Sequence, residues 1–135
     1  MKTLCLNMIV KNESHVIKRC LDSVKSIIDY WVIIDTGSTD GTQLIIQEVL
    51  KDIPGQLHER PWVNFEHNRN EALKAARNKA DYFFICDADE ILEIIEPFNK
   101  TAWHKDFYML KAKGEVSDFF HPNIISNDPG WHWEG

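Results

Sequence analysis

Short, nearly continuous apolar runs alternate with helix-period stripes across residues 3–86, and this alternation narrows the available folds more than any other feature. Thr3–Val10 carries Leu4, Cys5, Leu6, Met8, Ile9 and Val10 almost without a break, the pattern of a strand buried on both faces. Ile17, Cys20, Leu21, Val24 and Ile28 then recur at helical spacing, with Ser14 placed to cap the helix. Trp31–Asp35 is a second strand and ends in the turn-rich Thr36-Gly37-Ser38-Thr39. Asp40, with Gln43 three residues on, is expected to cap a second helix whose stripe is Ile46, Val49, Leu50 and Ile53. Pro54-Gly55 stops that helix, and a short strand follows at Gln56–Glu59. A third helix spans Phe65–Lys79 with Arg69, Ala72, Leu73, Ala76 and Ala80 on one face, before a fourth strand at Tyr82–Cys86. Less regular patterns suggest a short helix at Pro97–Trp103 and strands at Phe107–Ala112 and Val116–Ile125.

Strand and helix repeated three times and closed by a strand predict a three-layer α/β/α fold around a mostly parallel sheet. A chain of 135 residues allows one domain. Its 15 Lys and Arg against 21 Asp and Glu leave a charge of −6, which argues against a broad nucleic-acid surface. The three cysteines, Cys5, Cys20 and Cys86, lie in apolar stretches without C-x-x-C spacing, so buried reduced thiols are expected rather than a zinc site. Such thiols fit a reducing, cytoplasmic compartment. Met1–Val10 has the look of a signal peptide's start, but the run is short, contains Asn7, and meets Lys11-Asn12-Glu13 with no cleavage site. No apolar run approaches the roughly 20 residues of a membrane helix. A soluble chain is expected, with docking at the inner face of a membrane left open.

In an open parallel sheet, ligands bind beyond the carboxyl ends of the strands. Polar residues gather at those ends: Lys11-Asn12-Glu13, Asp35, and the pair Asp87 and Asp89. In an extended segment the two acids of Asp87-Ala88-Asp89 would face the same way, an oxygen-only donor set suited to Mg²⁺ or Mn²⁺. The plainer alternative is that Asp-Ala-Asp-Glu caps the chain after a strand. Neither G-x-x-x-x-G-K-[ST] nor G-x-G-x-x-G occurs, so P-loop and dinucleotide cradles are missing. Ile33–Ser38 resembles the active-site turn of aspartic proteases, which are all-β. Phe84–Asp89 resembles the nucleophile strand of haloacid-dehalogenase-type phosphatases, whose motif usually lies on the first strand.

Four blocks taken together point elsewhere: C-L-N-M-I-V-K-N-E-S-H-V-I-K-R-C-L-D-S-V at 5–24, V-I-I-D-T-G-S-T-D-G-T at 32–42, N-R-N-E-A-L at 68–73 and D-A-D-E at 87–90. In this order and spacing they resemble a family-2 glycosyltransferase of GT-A fold, most strongly over residues 4–92. The resemblance implies a single domain over 1–135, with a nucleotide-sugar-binding half at 1–92 and the start of an acceptor-side region at 93–135. It implies a nucleoside pocket lined by Val10 (through its backbone), Asn12, Glu13, Asp35 and Arg69, with Asp87 and Asp89 holding Mn²⁺ or Mg²⁺ on the donor diphosphate. Helix capping by Asn12 and a solvated Arg69 are the structural alternatives. Relatives often carry two acids after the second strand, where this chain has Asp35-Thr36.

The activity implied is inverting transfer of a sugar, from a UDP-sugar in preference, to a glycan or lipid-linked acceptor hydroxyl in surface glycan or lipopolysaccharide biosynthesis. Glu134 is the candidate base, and Trp131 and Trp133 are candidate sugar-stacking residues. Family-2 domains are generally longer than this chain. The alternative is therefore a donor-binding fragment without transfer activity of its own, and a missing acceptor side would expose apolar surface and favour self-association.

Overall fold

A computed structural model describes residues 2–92, 107–113 and 118–127. The expected helix at Pro97–Trp103 and the residues Trp131, Trp133 and Glu134 lie outside them. Strands β1 (Leu4–Val10), β2 (Tyr30–Asp35), β3 (Gly55–Glu59) and β4 (Tyr82–Ile85) alternate with helices α1 (Ile17–Val24), α2 (Thr42–Val49) and α3 (Phe65–Ala76). Strands β5 (Ile91–Leu92), β6 (Phe107–Lys113) and β7 (Asp118–Ser126) follow. One seven-stranded sheet results, in the order β3-β2-β1-β4-β7-β6-β5. The β1–β2, β1–β4 and β2–β3 pairs are parallel, as the strand–helix repeat requires. The pairs that β5, β6 and β7 add are antiparallel. The register of β6 against β7 slips between Tyr108 and Met109, beside Pro122, which has no N–H to give the ladder.

Alternation along the strands divides the core into two layers. Leu4, Leu6 and Met8 of β1 join Ile33, Phe84 and the inner faces of α1 and α2, while Cys5, Val32, Phe83 and Ile85 meet Leu73 and Ala76 of α3. The helical stripe Ile17, Cys20, Leu21 and Val24 is fully buried, which is the reason α1 forms where it does. Asn7 is the polar exception in β1: buried, it donates from Nδ2 to the Ala72 carbonyl at 2.8 Å and so latches α3 to the sheet. Gly55 opens β3 against the indole of Trp31, where any Cβ would overlap the ring.

Two expected caps are corrected. Ser14 does not cap α1, whose N-cap is Val16 with no side-chain bond; the Glu13 carbonyl instead accepts from the amides of Val16 and Ile17. Asp40 sits one residue ahead of the α2 N-cap, which is Gly41 at φ 87°, a left-handed value natural to glycine, yet its Oδ1 still accepts from the Thr42 amide that opens the helix, at 3.1 Å. Helix α3 is capped by Asn64, whose side chain accepts from the His67 amide, and it ends at Ala76, short of Lys79. Among the described residues no helix is long and apolar enough to cross a membrane.

Candidate functional site at the carboxyl ends of the parallel strands

From β1 the chain builds the sheet outward through β2 and β3, then returns to the other side of β1 as β4. This reversal opens a crevice at the carboxyl ends of β1 and β4, the usual ligand position in such sheets. Asn12 and Glu13 lie just past the end of β1, and Asp87 and Asp89 just past the end of β4.

The loops after β1 and β2 are sewn together. The Asn12 amide donates to Ser38 Oγ at 2.8 Å, and Asn12 Oδ1 accepts from the Thr39 amide at 2.7 Å. The Glu13 amide donates to Thr42 Oγ1 at 3.0 Å, and the Ser14 amide to Asp40 Oδ2 at 3.1 Å. Asn12 is thus no helix cap; it holds a left-handed backbone, φ 52°, and ties one loop to the next. Hydrogen bonds from Thr42 and then Ser14 hold the Asp40 carboxyl well below its ordinary range. The Val10 carbonyl accepts from both the amide and the hydroxyl of Thr36, at 2.9 and 3.2 Å. That oxygen is engaged within the fold, and Val10 meets the crevice as an apolar wall.

Asp35 is 1% exposed. Its Oδ1 accepts from the Gly37 and Ser38 amides at 2.9 and 2.8 Å and from Gln43 Nε2 at 3.3 Å, which shapes the turn after β2. Gln43 thus braces that turn rather than completing a capping box with Asp40. Among the described residues Asp35 Oδ2 has no hydrogen-bond partner. The same carboxylate therefore folds the loop with one oxygen and leaves the other, also buried, with its acceptor capacity unused among the described residues.

Asp87–Glu90 is a turn rather than an extended segment: the Glu90 amide donates to the Asp87 carbonyl at 3.0 Å. Buried Glu90 returns a bond, its Oε1 accepting from the Asp87 amide at 2.9 Å. This turn buries Ala88 and Glu90 and exposes both Asp87 and Asp89 just past the end of β4, by a different geometry from that expected. Arg69 is buried, not solvated, and pairs through Nη2 with Asp87 Oδ1 while its guanidinium lies over the Phe65 ring, 5.1 Å from the centroid. Burial first raises the Glu13 carboxyl; His15 opposes the rise, and the charges of Asp89, Asp40 and Asp87 add to it. Beneath the turn, the Cys20 and Cys86 sulfurs touch at 3.6 Å, and each also lies against the Asp87 carbonyl.

Two openings lie side by side, sharing Thr36. One, of about 280 Å³, is lined by Ile9, Val10, Lys11, Glu13, Thr36 and Trp62. The other, of about 490 Å³, runs from Asp35 along the Gly37–Thr39 turn to Arg60. The sequence reading missed Trp62, Asn68 and Glu90. A tryptophan in a loop and an asparagine inside a helix have no periodic signature. Glu90 had one faint signal, its place three residues after Asp87 in a turn.

The donor set suits a hard divalent cation: two exposed carboxylates, with the nearby thiols turned inward to a carbonyl. Among the described residues no group of three His, Cys, Asp or Glu is placed to hold a metal, so a cation here would draw further oxygens from water or substrate.

Comparison with known proteins gives concordant matches. The family model described as glycosyl transferase family 2 matches residues 5–96. A TPR repeat-containing protein of Synechococcus elongatus is 38% identical over 107 residues, 78% of this chain and 25% of that protein. The SPbeta prophage-derived glycosyltransferase SunS of Bacillus subtilis is 36% identical over 90 residues, 66% of this chain and 20% of SunS. This chain thus spans about a quarter or less of these relatives' length. Among solved structures, a mannosyltransferase of Pyrobaculum calidifontis in complex with GDP-Man and Mn²⁺ aligns with a TM-score of 0.60 at 24% identity, over 69% of this chain and 29% of that one. TarS of S. aureus in complex with UDP aligns with a TM-score of 0.58 at 20% identity, over 67% of this chain and 28% of that one. The fold is that of the GT-A glycosyltransferases.

Proposed function

Because the chain belongs to glycosyl transferase family 2, we propose that it forms the donor-binding half of an enzyme that transfers a sugar from a nucleoside diphosphate to an acceptor hydroxyl. The observation that carries this reading is the pair of exposed carboxylates, Asp87 and Asp89, at the reversal between β1 and β4. They would hold Mn²⁺ or Mg²⁺, and Arg69 would keep Asp87 oriented. A cation bound there acts as a Lewis acid, stabilising charge on the departing nucleoside diphosphate. The unpartnered oxygen of Asp35, at the wall of the larger opening, supports a place for the nucleoside, since a ribose hydroxyl or a base N–H would satisfy it. Asn12 and Glu13 complete that wall.

Transfer with inversion asks for in-line attack by the acceptor hydroxyl, with a carboxylate in reach to take its proton. Glu134 is our candidate for that base, and 93–135 for the beginning of the acceptor side. A UDP-sugar is the donor we favour, and a glycan or lipid-linked molecule of surface glycan or lipopolysaccharide biosynthesis the acceptor. A second reading, donor binding without transfer by this chain alone, is favoured by one observation: the residues gathered at the strand ends, Asn12, Glu13, Asp35, Asp87 and Asp89, are all ones we assign to donor and cation.

Calorimetric titration of UDP and GDP, with and without Mn²⁺, tests the proposal on the wild type and Asp89→Ala. Metal-dependent binding that the variant loses is expected. A folded wild type that binds neither nucleotide would sink it. Donor hydrolysis or transfer, measured next, separates the enzyme from the binding half.

A further inference from the structure

Trp62 is a large apolar side chain left 51% exposed, and its surroundings hold it that way. Asn68, fully buried in α3, clamps the two residues that flank it: its Oδ1 accepts from the Val63 amide at 2.9 Å, and its Nδ2 donates to the Pro61 carbonyl at 3.1 Å. The same Nδ2 also donates to Glu71 Oε1 at 2.9 Å, which fixes the amide's orientation. A buried amide committed to the backbone on both sides of an exposed indole makes a preorganised loop, not a loose one. The indole borders the 280 Å³ opening, where Ile9 and Val10 give an apolar floor and Lys11, Glu13 and Thr36 a polar rim. An apolar recess with a few polar groups at its edge is the composition of a small-molecule site. Phe65, also exposed, differs in that its ring already carries the Arg69 guanidinium.

We infer that Trp62 is the stacking platform for the planar base of the bound nucleotide, with Asn68 as the residue that positions it. The inference rests on the donor-site reading above. Direction supports the base over the sugar. Asp87 and Asp89 lie at the β4 side of β1, whereas Thr36, which shares the opening with Trp62, follows β2 on the other side. A nucleoside diphosphate with its phosphates at Asp87 and Asp89 extends its base across the end of β1 towards the indole. Stacking would tolerate both purine and pyrimidine, because every base has a π-face. Discrimination between bases would fall to polar groups such as Asp35.

The test is the affinity of the chain, in Mn²⁺, for UDP, GDP, UDP-glucose and inorganic pyrophosphate, using wild type, Trp62→Ala and Trp62→Phe. Because the indole is half exposed, the variants should keep the wild-type circular dichroism. Trp62→Ala is expected to weaken UDP and GDP on the order of tenfold and to leave pyrophosphate unchanged, with Trp62→Phe recovering most of the loss. Equal UDP affinity in wild type and Trp62→Ala, or a parallel loss for pyrophosphate, overturns the platform and leaves the carboxylate reading standing. A loss confined to UDP-glucose overturns it in favour of sugar stacking. A wild type that binds neither nucleotide nor pyrophosphate overturns both readings together.

Discussion

The Arg69 guanidinium is 3% exposed, while the Asp87 carboxylate that pairs with it is 58% exposed. The pair therefore spans the boundary between core and solvent: a buried cation of the α3 layer is neutralised by an exposed acid. Asp87→Asn should cost about 1–2 kcal/mol in urea unfolding, below the range for a wholly buried pair because water screens one partner. Asp89→Asn should leave the unfolding midpoint unchanged or slightly raised, since it relieves repulsion on Glu13. Equal losses for the two variants would contradict this division.

Asp35 serves the fold through one oxygen, and that can be separated from ligand binding. Asp35→Ala abandons the Gly37 and Ser38 amides and should destabilise the chain by about 1–3 kcal/mol. Asp35→Asn keeps a carbonyl oxygen for both amides and should lose less than half as much. If the second oxygen also binds the nucleoside, Asp35→Asn will still weaken UDP in calorimetry.

Glu13 makes stability fall with rising pH. Its carboxyl is raised in the native state, so the folded form binds the proton more tightly than the unfolded one. The group costs nothing below the ordinary carboxylate value of 4.5 and disfavours folding as pH rises through its raised native value. Glu13→Gln should therefore melt higher than wild type at pH 7, with the gap closing by pH ~3.5. A gap that is constant with pH would rule out the charge as its cause.

The thiols should be silent in the native protein. Burial pushes Cys5 up to about 12, and the Cys20 contact followed by burial pushes Cys86 well above the ordinary thiol value. All three cysteines are buried and free. Nucleophilic attack needs thiolate and access, so labelling by a disulfide reagent at pH 8 should be negligible until denaturant is added. Rapid labelling of Cys20 or Cys86 in the folded chain would show that the Asp87–Glu90 turn opens.

Local sequence determined the elements from β1 to β4 and their succession along the chain. The runs at β1, β2 and β4 and the stripe of α1 report burial by period alone, because side-chain direction repeats every two residues in a strand and every 3.6 in a helix. The acids at the strand ends were legible for the same reason: a change of polarity marks where each strand leaves the core. What no period encodes was decided by the tertiary structure. Ser14 and Asp40 have the chemistry of caps, yet the amide of one binds the carboxylate of the other, a contact visible only once two loops are brought together. For Arg69 a pocket role and a solvated one stay open along the sequence, and its burial against Asp87 emerges only when β4 delivers that acid to α3. Asn68 looks like any helical asparagine until the Pro61–Val63 backbone folds over it. Hydrogen bonds and ion pairs between distant segments depend on how the sheet is ordered, and that order is a property of the whole chain.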